Sequence, residues 1–390
     1  SYVRASPHRA GNPPQHARGT HTTHITRQTP PPTLCRTDLA WEDRPVTDRL
    51  MLLDTASLYF RAFYGVPDTV RAPDGTPVNA VRGLLDIITK LVTEYQPTHL
   101  VACWDDDWRP QWRVDLIPSY KAHRVAEVVA SGPDIEETPD PLEVQIPIIR
   151  AVLDALGIPI VGIAAHEADD VIGTLATGAR MPVDIVTGDR DLFQLVDDAA
   201  AVRVIYTARG MSRLEIVTGA VVESKHGVRP EQYVDFSVMR GDASDGLPGV
   251  PGIGEKTAAS LLAEHGNLAG ILAAAAAGTG MSATMRARLA GAADYLAVAP
   301  TVVEVVRDLA LGEFDDAIKA PTTTARAELE RLRESYGLGA TVTRAIAALE
   351  KAALAMSDSA PQAQEPPTPE PPTPTPPTPE SPEAESPAPR

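Results

Sequence analysis

Cysteine is nearly absent from this chain. Cys35 and Cys103 are its only two in 390 residues, too few for a disulfide framework and without metal-site spacing. A reducing, cytoplasmic setting is the expectation. Nor does any apolar run reach the roughly 18 uncharged residues of a membrane span, and the opening stretch has no secretory h-region. The chain reads as soluble. Positive charge is also scarce: the net charge is −17, which by itself argues against nucleic acid as a partner. Its distribution tempers that. Residues 1–49 carry seven Arg against four acids and residues 357–390 six acids against one Arg, leaving −15 in the body. Such an excess is either solvated surface or a metal cluster, and a protein that meets DNA through metal ions can be acidic overall.

What is present falls into blocks. Residues 1–48 are rich in Pro, Thr, His and Arg without apolar periodicity and read as a disordered extension. The first methionine is Met51, so the extension is set apart from the expected working protein. Residues 357–390 form a Pro/Thr/Glu tail, extended and partly polyproline-like. Between them, LMLLD (50–54), THLVACWD (98–105), IPIVGI (158–163), VDIVTGD (183–189) and VRVIY (202–206) are short β-branched runs separated by helical stretches. This alternation predicts an α/β domain over 49–220 with a mostly parallel, buried sheet flanked by helices. Ala-rich helices then dominate 221–356, a helical subdomain.

In an open parallel sheet, ligands bind beyond the carboxyl ends of the strands. Acids recur there: Asp54 after the first run, Asp105–Asp107 after the second, Glu167, Asp169 and Asp170 after the third, Asp189 and Asp191 after the fourth. A later GDASDG loop adds Asp242 and Asp245. One such acid is ordinarily a helix cap or turn residue. Capping does not account for Glu-x-Asp-Asp, Asp-x-Asp and Asp-x-x-Asp at one rim, because clustered carboxylates repel unless cations neutralise them. Oxygen ligands without Cys or His select Mg²⁺ or Mn²⁺. Two such ions, roughly 3.5–4 Å apart, would activate a water and stabilise the leaving oxygen of a phosphodiester.

Directly after the last acids comes GLPGVPGIGEKTAASLL (246–262). Pro248, Gly249, Pro251, Gly252 and Gly254 predict a tight turn that enters a helix at Glu255 or Lys256. Backbone N–H groups at such a turn form an anion site, to which Lys256 and Thr257 can add contacts. An ordinary interhelical turn is the plain alternative; its position behind GDASD favours a grip on a DNA backbone.

Taken in order, LLDTASLYFRAFYG, ACWDDDW, PSYKAHR, HEADDVIGTLA, IVTGDRDLFQLV and GDASDGLPGVPGIGEKTAASLL resemble the 5′–3′ exonuclease and flap endonuclease family, from Leu50 to the early 300s. The likeness is greatest to the bacterial 5′-nuclease domain that precedes family-A DNA polymerases, here expected to be free-standing. It implies a PIN-like, resolvase-like sheet followed by a helix-three-turn-helix subdomain, with a helical arch over about 108–140. It also implies a structure-specific 5′–3′ exonuclease or flap endonuclease of replication and repair, acting as a monomer on nicked or flapped DNA and on RNA primers. Asp54, Asp105, Glu167, Asp169, Asp170, Asp189, Asp191, Asp242 and Asp245 fall on the family's metal-binding acids. Asp54, Glu167, Asp169 and Asp170 resemble the tighter site, with Asp189 and Asp191 nearby; Asp242 and Asp245 resemble the second. Arg61 matches a basic position near the scissile phosphate, and Lys121 and Arg124 the basic pair at the foot of the arch. Tyr120 matches an aromatic that can stack on a displaced base. Gly249, Gly252, Gly254, Lys256 and Thr257 resemble the duplex-binding turn, which often holds K⁺. Asp105 is chosen over Asp106 and Asp107 because it ends the apolar run. Gly246 departs from the family's usual Asn.

Other features weigh less. Trp104, Trp108 and Trp112 recur every four residues, a spacing of helix core more often than of base stacking. Arg109 and Arg113 are expected either to touch phosphate or to be solvated. The acidic stretch 134–140 is expected to be a mobile loop. His123 and His166 receive no role. The rival readings are a catalytically silent DNA-structure binder, a PIN-type endoribonuclease, and a phosphatase; the last needs an Asp-x-Asp that Asp54-Thr-Ala does not supply.

Overall fold

The apolar runs pair side by side because each is too short for a stable helix, all but LMLLD carry β-branched residues, and each can bury both faces only within a sheet. The computed structural model describes residues 48–129 and 132–359. Its strands are β1 (Leu50–Asp54), β2 (His99–Cys103), β3 (Val125–Glu127), β4 (Ile135–Glu136), β5 (Ile160–Val161), β6 (Val183–Thr187), β7 (Val202–Tyr206) and β8 (Glu215–Val217). The helices of the first half are α1 (Thr55–Gly65), α2 (Asn79–Tyr95), α3 (Gln111–Leu116), α4 (Asp140–Glu143), α5 (Ile146–Ala155) and α6 (Ala168–Gly178). Those of the second half are α7 (Gly219–His226), α8 (Tyr233–Arg240), α9 (Glu255–His265), α10 (Leu268–Ala277), α11 (Ala283–Gly291), α12 (Ala293–Val303), α13 (Thr323–Ser335) and α14 (Ala340–Ser359).

Six strands form one sheet in the order β5-β2-β1-β6-β7-β8. All neighbours run parallel except β8, which is antiparallel to β7. The sequence reading missed β8, a three-residue edge strand with no apolar run of its own. Along β1 the pleat sends Leu50 and Leu52 to one core and Met51 and Leu53 to the other. The first core continues into α6 and the helices α7–α12; the second is roofed by α1, α2, α5, α13 and α14. Each fully buried Leu or Ile stabilises by roughly 1.5–3 kcal/mol. Register carries Asp54 level with Cys103, so acids after β1, β2 and β6 emerge at one rim.

Three expectations change. The helical arch over 108–140 is mostly not helical: it contains α3, a 3₁₀ turn at Ala122–Arg124, the antiparallel pair β3–β4, and α4. Pro110, Pro118, Pro133 and Pro139 interrupt any longer helix. The acidic stretch 134–140 is anchored in part, with Asp134 ion-paired to Arg109 at 2.6 Å and Ile135–Glu136 in β4. The helical region 221–356 also divides. Leu329, Leu332, Val342 and Leu349 of α13 and α14 join the core beneath α2 instead of packing with α7–α12. The extension 1–48 and the tail 357–390 lie outside the described residues, apart from Asp48 and the backbone of 357–359. Among the described residues no helix is long and apolar enough to cross a membrane.

Candidate active site

Each strand end delivers its acid differently. Asp54 closes β1 and caps α1: one oxygen accepts from Ser57 N at 3.1 Å and the other from Thr187 Oγ1 at 2.6 Å. Of the three consecutive acids after β2, Asp105 lines the cavity and accepts from Ala168 N at 2.8 Å. Asp106 is exposed and turned toward Gly162, while Asp107 accepts from Arg109 N within its own turn. Glu167 and Asp169 come from the start of α6, and Asp189 from the turn after β6. Asp54, Asp105, Glu167, Asp169 and Asp189 thus line one cavity of about 200 Å³, with Lys121, Arg124, Phe60 and Trp108. A smaller adjoining recess shares Glu167 and Asp169 and adds Asp191 and Asp245.

Burial above all leaves Asp54, Asp105, Asp169, Asp191 and Asp245 reluctant to ionise. Asp54 is pushed up to about 7, first by burial and then by Asp105 and Asp189. Asp169 is raised by burial, Asp54 and Asp189; Asp191 by burial, Asp189 and Asp245; Asp105 and Asp245 chiefly by burial. Asp242 moves the other way: burial is outweighed by Ser244 and by Arg240, whose Nη2 lies at 3.1 Å. A dense, all-oxygen donor set that resists charging in the absence of cations suits hard divalent ions. Among the described residues, no three His, Cys, Asp or Glu side chains are already set as a metal cage. Protein groups hold several of them instead: Glu167 is taken by Lys121 Nζ, by Tyr120 OH at 2.6 Å and by Arg113 Nη1 at 2.9 Å.

Two of the nine acids line neither space. Asp242 is tied to Arg240 and Ser244. Asp170 has both oxygens fully used. Oδ1 accepts from Arg113 Nη2 and Val306 N, and Oδ2 from Arg113 Nη1 and Glu167 N. Four bonds fill the four acceptor sites of a carboxylate. Asp170, expected at the tighter metal site, thus stands with its acceptor sites filled by protein donors. Sequence position could not reveal this, since one donor lies 57 residues before it and another 136 residues after it.

The cations and aromatics also sort by contact. Lys121, at φ 48°, places its N on Asp245 O at 2.9 Å and its Nζ on Glu167. Arg124 bonds Ser244 O and Asp245 Oδ1. Arg61 lines a separate, larger cleft of about 860 Å³ beside Tyr64 and Met211; Ser57 borders both spaces. Tyr120, expected to stack on a displaced base, is buried here with its hydroxyl on Glu167 and Lys121 over its ring. Phe60 and Trp108, both partly exposed, are the cavity's aromatics and were missed or discounted as ordinary core. Glu136 of β4 lines the cavity too, from the stretch expected to be a mobile loop. Arg109 and Arg113 are buried in ion pairs, neither solvated nor free for phosphate.

The Gly-rich turn joins α8 to α9. Val250 N bonds Met239 O and Ile253 N bonds Val250 O. Gly249 and Gly252 have φ of 65° and 78°, while Gly254 is the extended cap before α9. Lys256 is exposed and Thr257 half-buried, and the first-turn amides of α9 lack intrahelical partners. Gly246 sits at φ 69° against the segment carrying Lys121: a Cβ there would lie 2.0 Å from Ser119 O. The position that departs from the family's Asn therefore admits glycine alone.

Comparison with known proteins agrees along the chain. Residues 49–227 match the family model of the 5′–3′ exonuclease N-terminal resolvase-like domain, and 228–325 that of its C-terminal SAM fold. A 5′–3′ exonuclease of Streptomyces coelicolor is 60% identical over 300 residues, covering 77% of this chain and 99% of that one. A 5′–3′ exonuclease of Mycobacterium tuberculosis is 47% identical over 310 residues, covering 77% and 98%. Among solved structures, the T5 5′-exonuclease with divalent zinc bound aligns with a TM-score of 0.52 at 18% identity, covering 77% of this chain and all of that one.

Proposed function

Because this chain is a nuclease of the 5′–3′ exonuclease family, we propose that it hydrolyses phosphodiester bonds at 5′ ends and 5′ flaps of duplex DNA with divalent cations. The observation that carries this reading is the convergence of five carboxylates from four strand ends with Lys121 and Arg124 in one cavity. Asp54, Asp105, Glu167, Asp169 and Asp189 would hold Mg²⁺ or Mn²⁺, with Asp191 and Asp245 at the adjoining recess. Bound there, such ions supply Lewis acidity and an activated water. Lys121 and Arg124 offset the charge that builds on the transferring phosphate. The backbone of Gly249–Gly254 and the start of α9 grip the duplex without reading its sequence. GDASDG joins that grip directly to the acidic recess. K⁺ at the turn is part of the same proposal: the turn offers backbone carbonyls, and Gly252 O, which accepts from Arg288 Nη1 at 3.0 Å, keeps a second lone pair. Action as a monomer is part of this proposal.

Cleavage of a 5′-labelled flap, with Mg²⁺ or Mn²⁺ and with EDTA, tests the reading. Metal-dependent cutting near the single-strand/duplex junction is expected, and an RNA-tipped flap run in parallel ranks the two strands. An intact flap in protein that still binds the junction would select the silent binder instead.

Proton linkage gives an independent check. Below about pH 7 the metal-free protein holds a proton on Asp54 that the unfolded chain gives up near 4. That group's contribution is thus present in acid and lost as pH rises to 7. Divalent ions must displace the proton. Calorimetry of Mn²⁺ binding in buffers of different ionisation enthalpy should therefore show proton release at pH 6, diminishing by pH 8, with affinity rising over the same range. A pH-independent, proton-neutral enthalpy would remove Asp54 from the ligand set.

A further inference from the structure

Helix α6 carries Glu167 and Asp169 toward the cavity at its start, and its adjacent face is committed elsewhere. Asp170, Gly173 and Thr174 stand at i, i+3 and i+4, one stripe of the helix. All three meet the segment that leaves α12. Asp170 Oδ1 accepts from Val306 N at 2.9 Å. A Cβ on Gly173 would lie 2.7 Å from Val306 O. Thr174 Oγ1 lies 3.3 Å from that carbonyl and accepts from Leu309 N at 3.2 Å. Gln194 takes the same segment from the other side, donating to Val303 O and accepting from Val305 N. Farther along, Asp316 O and Ile318 N bond the backbone of Leu100 and Thr98 at β2. The segment is a strap from the helical half back to the sheet.

Arg113 lines the recess beside the cleavage cavity, together with Val302, Val303 and Val305. It is buried, and its fork spans three partners: Nε donates to Val302 O at 3.1 Å, Nη1 and Nη2 to the Asp170 carboxylate, and Nη1 also to Glu167 Oε1. The planar guanidinium suits such a junction because its donors are fixed in direction. Resting on the nuclease reading above, we propose that Asp170 and Arg113 form a positioning pair that bolts the strap to the rim and thereby fixes Glu167, and that Asp170 is not itself a ligand of the divalent ions. The helical half grips the duplex and the sheet half cuts it; this pair sets one against the other.

The groups around the pair support that division of labour. Asp169, one residue away, lines both the cavity and the recess, whereas Asp170 lines neither. With every acceptor site of Asp170 filled, a cation could take it only by stripping Arg113 from a buried partner, which would leave an uncompensated charge.

The test compares Asp170→Asn and Arg113→Lys with Asp169→Asn in the full chain. Mn²⁺ binding without DNA is followed by calorimetry, and single-turnover flap cleavage is followed for rate constant and amplitude separately. Arg113→Lys keeps the charge but loses the fork, and carries the test should Asp170→Asn not fold. Parent protein that does not cleave would sink the nuclease reading itself. Given active parent, Asp170→Asn and Arg113→Lys should keep Mn²⁺ affinity within about twofold, while the rate constant falls about 10- to 100-fold, the usual cost of losing a partner behind the ligands. DNA affinity should stay near parent. Loss of Mn²⁺ binding in Asp170→Asn to the extent seen in Asp169→Asn would make Asp170 a ligand and overturn the proposal. A fall in amplitude at unchanged rate constant would overturn it as well, since that marks only a smaller folded fraction.

Discussion

Asp169→Asn is expected to abolish flap cleavage while leaving both the fold and DNA affinity intact. Its carboxylate borders both the cavity and the recess and has no hydrogen-bond or ion-pair partner among the described residues. Burial, Asp54 and Asp189 together hold it well above the usual carboxylate range. Removing that charge breaks no cap and relieves repulsion, so the melting temperature of metal-free protein should hold or rise. The chemical step should suffer heavily. Losing roughly 4 kcal/mol of transition-state stabilisation at a metal ligand corresponds to about 10³-fold in rate. Asp54→Asn is a less clean probe, because Asp54 also caps α1 and accepts from Thr187. Single-turnover cleavage, junction binding in Ca²⁺ and thermal melting decide the matter together. Near-parent cleavage by a folded Asp169→Asn protein would move the catalytic centre away from this cavity.

Gly249→Ala should do the converse, crippling the grip and sparing the chemistry. Gly249 stands at φ 65°, where an L-residue pays roughly 1–2 kcal/mol. Its added Cβ would lie 2.6 Å from Gly241 N and 2.7 Å from Arg240 O. Both are backbone atoms at the end of α8, so the turn itself must shift. Loss of two or three phosphate contacts should weaken flap binding about 10- to 100-fold and flatten its salt dependence. The rate at saturating DNA should change little, and the melting temperature should fall by several degrees. Gly178→Ala, at the exposed end of α6, is the internal control: its Cβ meets nothing within 4 Å. If Gly249→Ala binds the flap as tightly as Gly178→Ala, the turn is not the duplex site.

Much of this site is legible in the sequence. Short β-branched runs predicted the parallel sheet, and β1, β2, β6 and β7 coincide closely with their cores. Choosing Asp105 because it ends an apolar run picked the acid that reaches the cavity, for the reason anticipated: the strand's direction aims the first residues beyond it at the rim. Lateral contact is what the sequence leaves hidden. Tyr120 beside Lys121 looks like an exposed aromatic at the foot of an arch, yet its hydroxyl reaches Glu167, 47 residues away. Arg113 looks like one more surface cation, yet it is enclosed by Val302, Glu167 and Asp170.

The sequence by itself determined the strand and helix alternation, the supply of acids at the carboxyl ends, the Gly-rich turn and the family they announce. Each of these is written in local pattern: period, branching, and glycine where φ must be positive. Only the tertiary structure decided which acids share a cavity and which are spent on arginine. It alone turned the arch into a hairpin-bearing segment and packed α13 and α14 over α2 instead of beside α12. The physical reason is that a carboxylate's role depends on what fills its lone pairs. For Asp170 those partners come from α6 itself, from α3 and from the strap beyond α12, segments that only folding brings together.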